Sequence, residues 1–247
     1  MTLLELQNVT KSFGGLNAVD NVSFSLERGE LVGLIGANGA GKTTLFSLIA
    51  GNLKPTDGDI RLDGKSVANL PPFRVSQLGI ARTFQIVRPF LAMTVQENVE
   101  IAALFGRAQH GSEEARRAAT EIIEAVGLGA LGARQASELT LGALKRLELA
   151  RAVATQPHLL LLDEVMAGLT PTEVVEACEI VARLRADLNL TVLLVEHVMS
   201  AVMRLAERII VIHHGIKIAE GTPNEIIRDP HVIEAYLGAG FEHASPA

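Results

Sequence analysis

The glycine-rich segment Gly-Ala-Asn-Gly-Ala-Gly-Lys-Thr at residues 36–43 constrains the fold of this chain more than any other feature. It matches the phosphate-binding loop pattern G-x-x-x-x-G-K-[ST] at every fixed position. The apolar residues 31–35 before it predict a buried strand, and residues 44–50 after it predict the start of a helix. This order places the unpaired N–H groups of a helix N-terminus next to the loop, where they bind phosphate. The segment therefore predicts a nucleoside triphosphate site rather than a chance glycine-rich turn.

Each residue type in this loop has its own expected role. Glycines let the backbone curl into a nest of N–H donors around the β-phosphate. Lys42 is expected to place a positive charge over the β- and γ-phosphates, and the Thr43 hydroxyl to bind Mg²⁺. The candidate nucleotide-binding residues of the loop are Gly36, Asn38, Gly39, Ala40, Gly41, Lys42, Thr43 and Thr44.

Composition narrows the class of protein. A chain of 247 residues that is 48% hydrophobic can form one large domain with a sizeable core. We expect neither a membrane-spanning helix nor a signal peptide, and the single cysteine, Cys178, fits a reducing cytosol. The formal net charge is −6, and the basic pairs at 116–117 and 145–146 are interpreted as solvated helix faces. No nucleic-acid partner is therefore expected.

Hydrophobic patterning predicts an α/β fold. Alternation at residues 4–9 and 22–26 predicts half-buried strands, and the apolar runs at 159–162 and 191–195 predict buried parallel strands. Further predictions are a strand at 58–62, helices within 94–126, 140–154 and 173–188, and a hairpin over 209–219. We expect a mostly parallel sheet with helices on both faces, an antiparallel N-terminal β region and an inserted helical subdomain. The whole chain, 1–247, is taken as one domain, with a core of 1–86 and 158–247 and a helical subdomain of 87–157.

Two acidic residues directly follow the apolar run at 159–162. The carboxyl ends of parallel strands face the ligand crevice, so Asp163 is expected to bind Mg²⁺ and Glu164 to polarise the attacking water. His197 ends the next apolar strand and is expected to donate a hydrogen bond to a γ-phosphate oxygen. Gln85, between core and insertion, is expected to reach Mg²⁺ or water. Each of these residues alone is weak evidence of function, and the functional interpretation depends on their occurrence together with the phosphate-binding loop.

The order of these motifs resembles that of the ATP-binding-cassette (ABC) ATPases over nearly the whole chain. In that family the phosphate loop, a glutamine, a signature sequence, the acidic strand end and a histidine follow one another, as residues 36–43, 85, 139–143, 159–164 and 197 do here. The resemblance implies a P-loop NTPase core of the RecA-like type. It also implies that Thr140 and Gly142 contact ATP bound by the opposite subunit. Phe13 would stack on adenine, the alternative being a strand-end core residue.

Residues 79–85, 93–98 and 229–238 are similar to the ATPases of branched-chain amino acid importers, of the LivG type. This resemblance implies a peripheral subunit on the cytoplasmic side of the inner (cell) membrane that binds ATP and Mg²⁺ at a dimer interface. Its partners would be a second ABC ATPase subunit (LivF-type or a second copy of the chain) and transmembrane permease subunits. A periplasmic substrate-binding protein would act indirectly.

The chain departs from the family pattern within the signature and at two further positions. The signature Leu-Ser-Gly-Gly-Gln is Leu-Thr-Leu-Gly-Ala at residues 139–143. Val165 stands in place of proline, and Thr170 in place of the D-loop aspartate. We expect a complete ATP half-site in this chain and a weakened contribution to the partner's site.

The sequence favours an ATP-hydrolysing subunit that drives uptake of branched-chain or related amino acids. One alternative is a soluble ABC ATPase of translation or DNA repair, which would usually carry a duplicated cassette or a long coiled-coil insertion. A second is an ATP-binding regulatory subunit with weak hydrolysis, against which the intact Glu164 argues. A small P-loop kinase or GTPase would leave Gln85 and His197 unexplained.

Overall fold

The computed structural model describes residues 1–84, 87–108 and 111–237. The strands are β1 (Thr2–Phe13), β2 (Leu16–Glu27), β3 (Leu31–Ile35), β4 (Asp57–Leu62), β5 (Lys65–Ser66), β6 (Ile80–Arg82), β7 (Leu159–Asp163), β8 (Thr191–Val195), β9 (Arg208–His213) and β10 (Ile216–Gly221). The helices are α1 (Lys42–Ile49), α2 (Pro72–Gln77), α3 (Val95–Phe105), α4 (Ser112–Ala125), α5 (Leu141–Ala154), α6 (Pro171–Leu188), α7 (Met199–Leu205), α8 (Pro223–Ile226) and α9 (Pro230–Leu237). None of the helices within these described ranges is long and apolar enough to cross a membrane.

A six-stranded sheet carries the candidate site. Its strand order is β10-β9-β3-β8-β7-β6, and every neighbouring pair is parallel except β9 with β10. Strands β3, β7 and β8 are buried along their whole length, which explains their unbroken apolar sequences. The mostly parallel sheet is confirmed. Because these three strands run in the same direction, the residues that follow them meet at one edge of the sheet.

The N-terminal antiparallel β region is also confirmed. It is a four-stranded sheet of order β2-β1-β4-β5, in which every pair is antiparallel. Apolar side chains from this sheet, from α1 and from one face of the six-stranded sheet form one buried cluster. Helix α1, which follows the phosphate-binding loop, is therefore packed between the two sheets and held firmly in place.

Residues 95–154 form the helices α3, α4 and α5, as the periodicity predicts. Thr94 caps α3 in a capping box with Glu97, which confirms it as the N-cap. Buried residues of all three helices join the apolar cluster that covers the other face of the six-stranded sheet. The limits of a separate helical subdomain at 87 and 157 stay a prediction.

Helix α2, strand β6 and helix α7 have no counterpart among the sequence predictions. Each is at most seven residues long. Elements of this length show too few repeats of an apolar pattern to be recognised. Of the three, β6 matters most, because it places Arg82 beside β7.

Candidate nucleotide-binding site

The phosphate-binding loop has the predicted context, since β3 ends at Ile35 and α1 begins at Lys42. Two of its glycines are required by packing. A Cβ on Gly36 would lie 2.2 Å from the Ile212 carbonyl oxygen, and one on Gly41 would lie 2.3 Å from that of Ala18. Gly39, at φ 80°, has open space around it and is favoured by its backbone conformation alone. The loop is thus pressed against both sheets.

The Lys42 ammonium interacts with the two carboxylates at the end of β7. The Lys42 ammonium donates to the carbonyl oxygens of Gly36 (2.6 Å) and Ala37 (3.0 Å), within the loop. Burial lowers the pKa of Lys42, and the carboxylates of Glu164 and Asp163 oppose that shift. The structure therefore brings together three residues that the sequence assigned to one site from segments about 120 positions apart.

Asp163 ends β7 in an ion pair that the sequence did not reveal. Its Oδ2 lies 2.7 Å from Nη2 of Arg82 on the neighbouring strand β6, and the side chains are 3% and 9% exposed. Arg82 also donates through Nη1 to the Ser47 hydroxyl of α1 at 3.1 Å. A carboxylate this deeply buried needs an opposite charge, because desolvation otherwise penalises the ion heavily.

Glu164 and His197 form the next contact along this edge. Glu164 Oε1 lies 2.9 Å from His197 Nε2, so the imidazole and the proposed catalytic acid orient each other. The Glu164 N–H donates to the Val195 carbonyl at 2.9 Å, and the residue has a φ of 49°. A left-handed backbone at a non-glycine residue is characteristic of functional sites. The contact is found; the catalytic roles of both residues stay predictions, and Gln85 lies outside the described residues.

The signature residues lie at the start of α5. Thr140 is its N-cap and accepts from the Ala143 N–H at 3.4 Å. A Cβ on Gly142 would lie 2.7 Å from Oε1 at the end of the Glu173 side chain, so the first turns of α5 and α6 lie side by side. Thr170 caps α6 in a capping box with Glu173. The threonine thus supplies the capping oxygen that the family's aspartate would supply.

Phe13 is not a core residue. It stands at the end of β1, 48% exposed, with the Lys11 ammonium 5.2 Å from the ring centroid. The alternative that placed it in the core is therefore wrong. Phe13 pairs with β2, the strand that the phosphate-binding loop touches at Ala18, and an exposed aromatic ring there suits stacking on a base.

The prediction that both basic pairs lie on solvated helix faces is wrong for Lys145. Lys145, expected on a solvated helix face, is 7% exposed, and its ammonium donates to the Glu164 carbonyl oxygen at 3.0 Å. Arg116 and Arg117 are exposed, as expected. The error arises because a lysine in a short basic pair carries no local sign of a carboxylate cluster folded against it.

Two buried acids were missed entirely. Glu148 of α5 accepts from the backbone N–H groups of Arg88 and Phe84, and burial raises its pKa while Arg151 opposes the shift. Arg151 also donates to the Arg88 carbonyl at 2.8 Å. Glu196 accepts from the Met166 N–H at 2.8 Å. Helix α5 therefore holds the backbone on either side of Gln85, and no local sequence pattern marks these acids as buried.

The site suits a magnesium nucleotide in its donor chemistry. The loop offers backbone N–H groups and an ammonium for phosphate. The exposed Thr43 hydroxyl and the Asp163 carboxylate are oxygen ligands of the kind that Mg²⁺ binds alongside phosphates.

Comparisons with known proteins agree on one family. The profile of the family described as "ABC transporter" matches residues 19–167, and that of "branched-chain amino acid ATP-binding cassette transporter" matches residues 217–242. The high-affinity branched-chain amino acid transport ATP-binding protein LivG of Salmonella typhimurium is 46% identical, covering 96% of this chain and 98% of that protein. BraF of Pseudomonas aeruginosa, described in the same words, is 41% identical with the same coverage.

Solved structures give the same result. An ATP-binding cassette of an ABC transporter in its ADP conformation superposes with a TM-score of 0.88 at 33% identity, covering 96% of this chain and 99% of that one. A nucleotide-free ATP-binding cassette from an ABC transporter gives 0.85 at 30% identity and the same coverage.

Proposed function

Because the chain belongs to the ABC transporter family and is an ATP-binding ATPase, we propose that it powers an importer of branched-chain or related amino acids. The meeting of Lys42, Asp163, Glu164 and His197 at one sheet edge supports hydrolysis by this chain. Its 46% identity to a LivG protein over nearly the full length of both chains supports the substrate class.

In the proposed reaction, Lys42 exchanges its loop carbonyls for the β- and γ-phosphate oxygens of ATP. Glu164 orients the attacking water, and His197, held against it at 2.9 Å, donates to a γ-phosphate oxygen. Thr43 and Asp163, with Gln85, would hold Mg²⁺, which neutralises charge on the phosphates. Phe13 would stack on the adenine, and the loop N–H groups would hold the phosphates.

The proposed assembly is a head-to-tail pair of ATPase subunits, LivF-type or a second copy of the chain, in which Thr140 and Gly142 face the partner's ATP. Permease subunits would dock near the exposed side chains of Phe84, Phe90 and Leu91, beside the segment that Glu148 and Arg151 hold. The subunit would lie on the cytoplasmic face of the membrane, and a periplasmic binding protein would deliver solute. The helical subdomain, residues 87–157, would carry motion from nucleotide to permease.

The test is reconstitution of the chain with its permeases and binding protein in liposomes. We expect leucine, isoleucine or valine to stimulate both ATP hydrolysis and uptake, and Glu164→Gln to abolish both while ATP still binds. Hydrolysis at full rate without permease, unchanged when permease is added, would contradict the coupling. Stimulation by another solute alone would keep the importer and overturn the substrate class.

The altered signature supports a second candidate, an ATP-binding regulatory subunit with weak hydrolysis. Leu141 is bulky and exposed where the family has glycine, and Ala143 lacks a polar side chain. This candidate predicts that the reconstituted complex keeps its ATPase rate when Glu164→Gln is introduced in this chain alone.

A further inference from the structure

Lys145 is a buried cation that the proposed reaction does not use. It lies on α5 within the apolar cluster between the helices and the six-stranded sheet, and its ammonium donates to the Glu164 carbonyl oxygen at 3.0 Å. Burying an ammonium group carries a large desolvation penalty. A cation at such a position needs compensating charge.

That charge comes from carboxylates on several elements. Burial lowers the pKa of Lys145, while Glu196, Glu164, Glu148 and Asp163 oppose the shift, in that order of strength. Of these carboxylates, Glu196 depends most on the positive charge of Lys145. It is 2% exposed, and its Oε2 has no hydrogen-bond partner among the described residues. The ammonium therefore interacts with four carboxylates, one of which belongs to Glu164, whose carbonyl it also contacts.

The carbonyl that Lys145 holds belongs to a residue under conformational strain. Glu164 has a φ of 49°, a left-handed backbone conformation that is unfavourable for residues with a Cβ. Its N–H donates to the Val195 carbonyl at 2.9 Å, and its carbonyl accepts from the Lys145 ammonium at 3.0 Å and from the Ala167 N–H at 3.3 Å. Two residues on, the Met166 N–H is held by Glu196 at 2.8 Å. The direction of the Glu164 side chain toward His197 is set by these bonds.

Lys145 also connects this turn to the signature. It follows Gly142 by three residues in α5, so the two lie on the same side of the helix. The segment expected to contact the partner's nucleotide thus shares one rigid helix with the hydrogen-bond donor to Glu164.

We propose that Lys145 is a positioning residue for hydrolysis: its ammonium fixes the Glu164 peptide and ties the start of α5 to the acid of the same subunit. The proposal rests on the proposed function only in taking Glu164 as the catalytic acid. It does not depend on the solute or the permeases.

The test compares Lys145→Met, Lys145→Arg and the exposed control Lys65→Met in steady-state ATP hydrolysis by the purified full chain. For Lys145→Met we expect kcat to fall about 10- to 100-fold, as small displacements of catalytic groups do, with KM for ATP changed less than twofold. Lys145→Arg, which can still donate to the carbonyl, should recover most of the rate, and Lys65→Met should match the parent.

An unchanged kcat in Lys145→Met, a change confined to KM, or an Arg variant as slow as the Met variant would overturn the proposal. Thermal melting of every variant separates loss of fold from loss of positioning. If Lys145→Met does not fold, Lys145→Leu, which also lacks a donor, takes its place, with the same outcomes deciding. If permease does not change the ATPase rate of the parent chain, the importer function is contradicted. The comparison of the Lys145 variants would still test the positioning role.

Discussion

The two ends of the nucleotide site are built differently. At the carboxyl edge of β3, β7 and β8, the polar groups are already paired: Lys42 with the loop, Asp163 with Arg82, and Glu164 with the exposed His197. At the start of α5, Thr140 caps the helix and Leu141 is 47% exposed. The first region is organised without a partner, whereas the second presents side chains to one. The chain should therefore bind and slowly hydrolyse ATP by itself, and assembly should raise its turnover.

Glu164→Gln gives the largest expected effect. The amide keeps the size of the side chain but loses the carboxylate that orients water, so kcat should fall about 10²- to 10⁴-fold, the usual contribution of a general base. ATP affinity should change little, because Lys42 and the loop are untouched. Equilibrium binding of ATP and single-turnover hydrolysis measure both quantities. A variant that keeps a tenth of the parent's rate would show that Glu164 is not the general base.

Arg82→Met comes next, with an effect on folding. It leaves the Asp163 carboxylate buried without its cation, which should lower the free energy of unfolding by about 3–5 kcal/mol. Urea denaturation measures the loss. The matched control is Arg61→Met, which breaks the more exposed pair with Asp59 at 2.9 Å and should change stability by less than about 1 kcal/mol. Equal losses in the two variants would show that burial does not strengthen the Arg82 pair.

Local patterns predicted what depends on neighbours in sequence. The strand–loop–helix around Lys42 and the start of α5 near Thr140 were readable, since each is decided within a few residues. Arg82 was not, because its carboxylate partner is 81 residues away and is brought close by the pairing of β6 with β7. Lys145 was misread for the same reason: its exposure is decided by which elements pack against α5.

Leu141→Gly sharpens the comparison at the signature end. Made in a Glu164→Gln background, it restores the family's glycine and should strengthen ATP-dependent dimers about tenfold in dissociation constant, which is about 1.4 kcal/mol. Light scattering after size-exclusion chromatography with Mg-ATP measures this. Leu188→Gly, at a similarly exposed position of α6 (49%), is the control for removing an apolar side chain. If Glu164→Gln stays monomeric with and without Leu141→Gly while still binding ATP, the chain requires a partner subunit of another kind.

The smallest expected effect is a pH dependence that separates the buried acids from the open end of the site. Burial raises the pKa of Glu196 above the ordinary value of a glutamate, while the N–H groups of Met166 and His197 oppose the shift. A carboxyl with a raised folded-state pKa contributes stability below its unfolded pKa and loses it as pH rises through the folded pKa. A variant without the Glu196 carboxyl therefore does not lose this stability as pH rises.

Glu196→Gln should accordingly gain stability relative to the parent as pH rises from about 4.5 toward neutrality, since the unfolded carboxyl ionises first and the folded one later. The amide oxygen can still accept from the Met166 N–H, so the turn after Glu164 keeps its hydrogen bond. Chemical denaturation of both proteins from pH 4 to 8 gives the difference, with Glu121→Gln on an exposed position of α4 controlling for the loss of one carboxylate. A relative loss with rising pH would mean that the charge of Glu196 stabilises the fold through Lys145 more than burial penalises it.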